Sequence, residues 1–206
     1  MNISFYRTLL AWLMPAFIAV WTSPLSHAAE EPAVARIKSY YGVLLDTMKN
    51  AKQLGISGRY EKLAPVIRET FDLPAMTRIA VGPAWTSVPA EQQAALVDVF
   101  SRMTIATYAN RFDGYSGERF ETDPASETRG RNRIVHTRLI EASGKPTVLN
   151  YLMHETGASW KVTDVYLSGT ISELATRRSE FGSILKSAGA EALIANLRER
   201  TEKLLR

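Results

Sequence analysis

Cysteine is absent from the 206 residues, which excludes disulfide scaffolds, thiolate zinc sites, iron–sulfur clusters and cysteine nucleophiles. Histidine is nearly so: His27 lies close to the start, and only His136 and His154 remain. His154-Glu155 has no second histidine to complete an H-E-x-x-H pair, so no metal or other cofactor is expected. Nucleotide loops of the GxxxxGK[ST] or GxGxxG type and a GxSxG nucleophile elbow are missing too. No cluster of four or five Lys/Arg residues occurs, and 25 cations against 21 anions leave a net charge of only +4, so nucleic acid is not an expected partner. What is present is ordinary: 46% apolar and 22% charged side chains describe a globular chain. A mean hydropathy of −0.12 is too low for a multispan membrane protein.

The first segment reads as an export signal. Arg7 is the only charged residue before Glu30, and it precedes Leu9-Leu10-Ala11-Trp12-Leu13-Met14, then Ala16 to Trp21 after Pro15. Ser26 and Ala28, small and two apart, meet the requirement of signal peptidase, so cleavage is expected after Ala28, with Ala29 as the second choice. The apolar run of about 13 residues falls short of the roughly 20 that span a bilayer. Residues 1–28 are therefore the signal and 29–206 a single domain, with the periplasm as destination.

The domain is expected to be α+β: helices, then a curved antiparallel sheet of about four strands, then helices. Val34, Ile37, Tyr41, Leu44 or Leu45, and Met48 mark one helical face, which Gly55 and Gly58 should break. A short helix follows towards Phe71. Asp72 and Pro74 open another that Gly82-Pro83 ends, and Ser87 and Pro89 precede a long one from Ala90 to Phe112. Beyond Gly114 the apolar period becomes two, with a short strand at Arg119–Thr122 and hairpin turns at Ser143-Gly144 and Thr156-Gly157. Between Trp160 and Leu167 the apolar parity switches at Asp164, which implies a bulge or burial on both faces. Thr170 and Glu173 have capping-box spacing, and Gly189 divides the final helical stretch.

Few residues offer chemistry. His136 and His154 read as surface strand residues. Asp164 is the one carboxylate inside an apolar strand. It could serve as a general base in a small cavity enzyme, or satisfy backbone groups at the bulge; no second acid or base pairs with it, which favours the bulge role. Arg177 and Arg178 could meet a lipid phosphate or an acidic partner, although Glu173 and Arg177 also form a favourable i, i+4 pair. Aromatic residues spread over helices and sheet alike, which a filled core and a hollow one would explain equally.

Ordered stretches along the chain carry a resemblance. Phe71-Asp72, Met76, Ala80, Gly82 and Trp85 keep the spacing F-D-x(3)-(I/M)-x(3)-A-x-G-x(2)-W. Trp160-Lys161-Val162-Thr163-Asp164-Val165-Tyr166-Leu167-Ser168-Gly169 matches W-K-(V/I)-x-D-(V/I)-x-(I/L)-x-G. Glu91-Gln92-Gln93 with Phe100, Tyr108-Ala109 with Phe112 and Tyr115, and Arg178, Phe181, Gly189 and Leu193 to Leu197 complete the pattern. In that order the stretches resemble the MlaC/toluene-tolerance family of periplasmic lipid carriers. The segment Gly169 to Phe181 departs from the usual family form and is similar to the hopanoid-biosynthesis-associated HpnM branch. The resemblance implies a nuclear-transport-factor-2-like cone around an apolar cavity, no catalysed reaction, and shuttling of phospholipid or hopanoid between inner- and outer-membrane transport complexes. The alternative to a carrier or cavity enzyme is a periplasmic adaptor that binds no lipid.

Within that frame, parity and helical stripe nominate Phe100, Met103, Tyr108, Phe112, Leu139, Tyr151, Met153, Val165 and Leu167 as cavity wall. Arg177 and Arg178 are the head-group or partner contacts, and Trp85 and Trp160 hold helix to sheet. A monomer is expected. Mass spectrometry of the exported protein should give an N-terminus at Ala29, or at Glu30 for the second cleavage position; a chain retaining Met1 would refute the export signal.

Overall fold

The computed structural model describes residues 30–157 and 159–206; the segment read as a signal lies outside the described residues. Helix α1 (Pro32–Lys49) starts with proline in its first turn and buries Val34, Ile37, Tyr40, Tyr41, Leu44 and Met48. It ends at Asn50, earlier than the glycines suggest. Asn50 leaves helical geometry at φ −102° and ψ 11°, and its side-chain amide joins its own backbone N–H on the Asp46 carbonyl, at 2.8 Å. Helix α2 (Ala51–Thr70) bends at Gly55, whose φ of 60° and ψ of −176° lie far from helical values, whereas Gly58 and Pro65 stay within the helix. Thus only the first of the two expected breaker glycines acts as one.

Helix α3 (Leu73–Val81) begins as its sequence predicts: the Asp72 carboxylate accepts from the Ala75 amide at 3.0 Å. A 3₁₀ segment (Gly82–Ser87) leads into α4 (Ala90–Arg111), within one residue of the expected bounds. The half-buried Trp85 and Trp160 both pack against the main core.

Among the described residues the sheet has six strands, two more than periodicity reveals: β1 (Arg119–Thr122), β2 (Glu127–Arg129), β3 (Asn132–Ile140), β4 (Pro146–Thr156), β5 (Ser159–Leu167) and β6 (Ile171–Ser172). Its order is β1-β3-β4-β5-β6, with β2 beside β1 on the same edge of β3, and every pairing is antiparallel. Strands of three and two residues are too short to show a period of two, which is why β2 and β6 escape sequence analysis.

The parity switch is a bulge. Leu152 pairs with Asp164 but Met153 pairs with Val162, leaving Thr163 as the extra residue. Val162 and Val165 are consequently both buried in the main core, while Asp164 turns away from it. Its carboxylate accepts the Val165 amide at 2.8 Å, the Leu174 amide at 3.2 Å and the Ser172 hydroxyl at 2.5 Å. These bonds fasten β5 to the start of α5 (Glu173–Leu204), a long helix kinked at Gly189, where φ is 78°. Its cap is Ser172, whose Oγ accepts the Ala175 amide at 2.9 Å; the Thr170–Glu173 box does not form, because Thr170 belongs to the preceding turn.

Strand β5 packs against α1, α2, α3 and α5, and β3 against α1, while α4 lies on α5 and α2. Replacing Asp164 by alanine strands two buried backbone amides and should cost about 3 kcal/mol. Urea denaturation measures that loss; a change under about 0.5 kcal/mol, typical of a surface substitution, would show that the carboxylate does not join strand to helix.

Candidate functional site

Between the sheet and the α3–α4–α5 side lies a cavity of about 120 Å³. Helix α4 supplies one wall through Phe100, Met103, Thr104, Thr107 and Tyr108, steps of three and four that form a single stripe. The facing wall is four inward residues of adjacent strands, in the registered pairs Leu149–Leu167 and Tyr151–Val165. Phe71, Met76 and Leu174 close the sides, and Phe112 follows the end of α4. Three charged residues complete the lining: Arg111 in the last turn of α4, and Glu173 and Arg177 in the first two turns of α5. A second concavity, about 480 Å³ and open, lies across the other sheet face, but Glu127, Arg129, His136, Asn150 and Tyr166 give it a polar surface that cannot shelter hydrocarbon.

Seven of the nine nominated wall residues line this cavity: Phe100, Met103, Tyr108, Phe112, Tyr151, Val165 and Leu167. Leu139 and Met153 do not. Leu139 pairs with Phe120 at the β1 edge, and Met153 is fully buried beside Val162. Arg177 belongs to the lining, whereas Arg178 is engaged elsewhere. Its Nε donates to the Ile79 carbonyl at 2.9 Å, and its stem lies over Gly82, where a Cβ would come within 3.2 Å of it. The expected Glu173–Arg177 pair is not made either; Arg177 instead lies 3.7 Å from Glu180. Sequence reasoning overlooked Thr104, Thr107 and Arg111, although their spacing from Phe100 and Tyr108 puts them on the same stripe. Leu149 shares the parity of Tyr151 and could have been included on that ground.

Aromatic residues build the inner end. Tyr40 contacts Phe71, Tyr108 and Tyr151 edge-on or nearly so, and Tyr41 stacks on Phe120 with ring centres 4.1 Å apart. The Tyr41 hydroxyl lies 2.6 Å from Thr137 Oγ1 and 3.0 Å from the Tyr151 hydroxyl. Among the described residues the buried Tyr40 hydroxyl has no hydrogen-bond partner. Burial pushes the pKa values of Tyr40, Tyr41 and Tyr151 well above the ordinary phenol value and that of Tyr108 up to about 12.

The remaining candidates have structural partners. Both carboxylate oxygens of Asp164 are occupied as described above, and the residue is not part of the cavity lining. His136 Nε2 lies 3.1 Å from Glu127, and His154 Nε2 2.9 Å from Asp72. No group of three or more metal-capable side chains occurs among the described residues.

The tyrosines make alkaline stability a test of the buried cluster. Above pH 10 the unfolded chain loses phenolic protons that the folded chain keeps, so stability must fall as pH rises from 10 through about 12. Urea midpoints should drop across that window, and tyrosinate absorbance should rise together with unfolding. Early ionisation of all the tyrosines in a folded chain would contradict the burial.

Three comparisons bear on this architecture. The family model described as MlaC protein matches residues 39–199. The intermembrane phospholipid transport system binding protein MlaC of Haemophilus influenzae is 22% identical over 200 residues, covering 93% of this chain and 91% of that protein. The phospholipid-binding protein from Ralstonia solanacearum, solved in complex with a phospholipid, superposes with a TM-score of 0.74 at 24% identity, covering 85% of this chain and all of that one. The last likeness establishes the shared fold. With the family model spanning most of the sequence, the chain belongs to the MlaC protein family.

Proposed function

We propose that the protein is a periplasmic lipid carrier that encloses acyl chains between α4, α5 and the sheet and passes lipid between inner- and outer-membrane complexes. The observation that carries this reading is the cavity itself: apolar and aromatic along its walls, with charge confined to Arg111, Glu173 and Arg177. The Haemophilus relative is named for intermembrane phospholipid transport and the Ralstonia protein was solved with a phospholipid, which supports the same cargo class here. The segment Gly169 to Phe181, with its HpnM-like sequence, favours a hopanoid as the second cargo to test.

Energetics set the requirement. A two-tailed lipid buries about 28 methylenes at ~0.8 kcal/mol each, roughly 20 kcal/mol gross, so it leaves a bilayer only for a comparably dry enclosure. A space of about 120 Å³ is near the size of an engineered cavity that takes one benzene, far short of two chains. Loading therefore requires the helical layer to move off the sheet. With no cysteine in the sequence, no disulfide opposes that movement. An enzyme acting through Asp164 finds no support, since its carboxylate is consumed by β5 and α5.

Protein purified without detergent should yield stoichiometric lipid on organic extraction, and mass spectrometry of the extract separates phospholipid from hopanoid. Val165→Trp, which fills the cavity, should lower bound lipid at least severalfold while the circular dichroism spectrum is retained. Lipid-free protein from a lipid-rich source would point to an adaptor instead, and full loading of the filled variant would put the lipid outside this cavity.

A further inference from the structure

Glu173 and Arg177 are one helical turn apart, in the order that favours pairing, yet they do not pair. Arg177 reaches only Glu180, at 3.7 Å, and Glu180 is already engaged by Arg200. Among the described residues neither Glu173 nor Arg111 makes an ion pair or a side-chain hydrogen bond. All three line the cavity, and among the described residues they are its only charged ones. Beyond the effect of burial, Arg111 favours and Glu173 opposes ionisation of the Tyr108 hydroxyl, so both charges act on one point of the wall. Helix-end electrostatics explains why an acid opens α5 and a base closes α4. It does not explain why both face the same cavity without partners.

We propose that this trio recognises a zwitterionic lipid head group: the phosphodiester on the guanidiniums of Arg111 and Arg177, and its ammonium on the Glu173 carboxylate. Guanidinium matches phosphate oxygens in a planar fork, and a carboxylate accepts from an ammonium. Arg111 is exposed while Glu173 and Arg177 are half-buried, so the charges lie at the solvent end of an otherwise uncharged lining. Every phospholipid offers the phosphate; the carboxylate is the element that separates an ammonium head group from an uncharged glycerol one. The assignment rests on the carrier reading and adds head-group selection to it.

The test uses vesicles of phosphatidylethanolamine and phosphatidylglycerol in equal amounts with identical acyl chains. After incubation the protein is re-isolated, and total bound phospholipid and the ratio of the two head groups are measured. The wild-type chain should be enriched in the ethanolamine lipid by about two- to fivefold, as expected for a solvent-accessible ion pair, and less so at high salt. In Glu173→Gln the ratio should return to that of the vesicles, and in Glu173→Lys it should reverse. A loaded wild-type protein at the vesicle ratio, or Glu173→Gln with the wild-type enrichment, overturns the head-group assignment while leaving a carrier. A wild-type protein that takes up neither lipid overturns the carrier reading and this assignment with it.

Discussion

The carboxylate of Asp164 holds together the two elements that shape the cavity. It lies next to the extra residue of the β5 bulge, accepts from the first turn of α5 and from Ser172, and so determines where that helix leaves the sheet. Leu174 and Phe181 can then bury against the core while Glu173 and Arg177 face the lining. Without the bulge, the side-chain alternation of β5 would put Val162 and Val165 on opposite faces. One of the two would lose its place in the core, and the four-residue wall of β4 and β5 would be incomplete. A buried carboxylate is tolerable here because it accepts two amides and a hydroxyl, so its desolvation is offset by hydrogen bonds.

Most of this was legible in sequence where a local signal was strong. Asp72 and Pro74 announced α3, the 3.6-residue period gave α4 to within a residue, and the parity change at Asp164 located the bulge. Signals failed where a side chain far along the chain, or one hydrogen bond, made the decision. Ser172 displaced Thr170 as the cap of α5. Arg178, adjacent in sequence to Arg177 and chemically identical, was drawn away to the Ile79 carbonyl on α3. Periodicity assigns a residue to a face, but a face holds both cavity and solid core. Met153 and Tyr151 share parity, yet only Tyr151 borders the space.

The molecule is stiffer on one side of its cavity than on the other. At the α1 side, Tyr40, Tyr41, Phe71, Phe120 and Tyr151 interlock through ring contacts and the hydroxyl links of Tyr41 to Thr137 and Tyr151. At the other side the first turn of α5 is tied to β5 through Asp164, but along their length α4 and α5 meet mainly through apolar contacts such as the edge-on Phe100–Phe181 pair, 6.3 Å between ring centres, and the exposed Gln92–Glu191 and Asn110–Leu204 hydrogen bonds. Apolar contact has no directional requirement and can be remade after sliding, whereas a buried hydrogen bond left open costs about 1–3 kcal/mol. Expansion from a space of about 120 Å³ to one that holds acyl chains is therefore least costly along the α4–α5 contact beyond the Asp164 anchor. That is also the side bearing Arg111, Glu173 and Arg177. Chain entry and head-group capture would then use the same edge, with the tyrosine cluster as the fixed wall against which the chains come to rest.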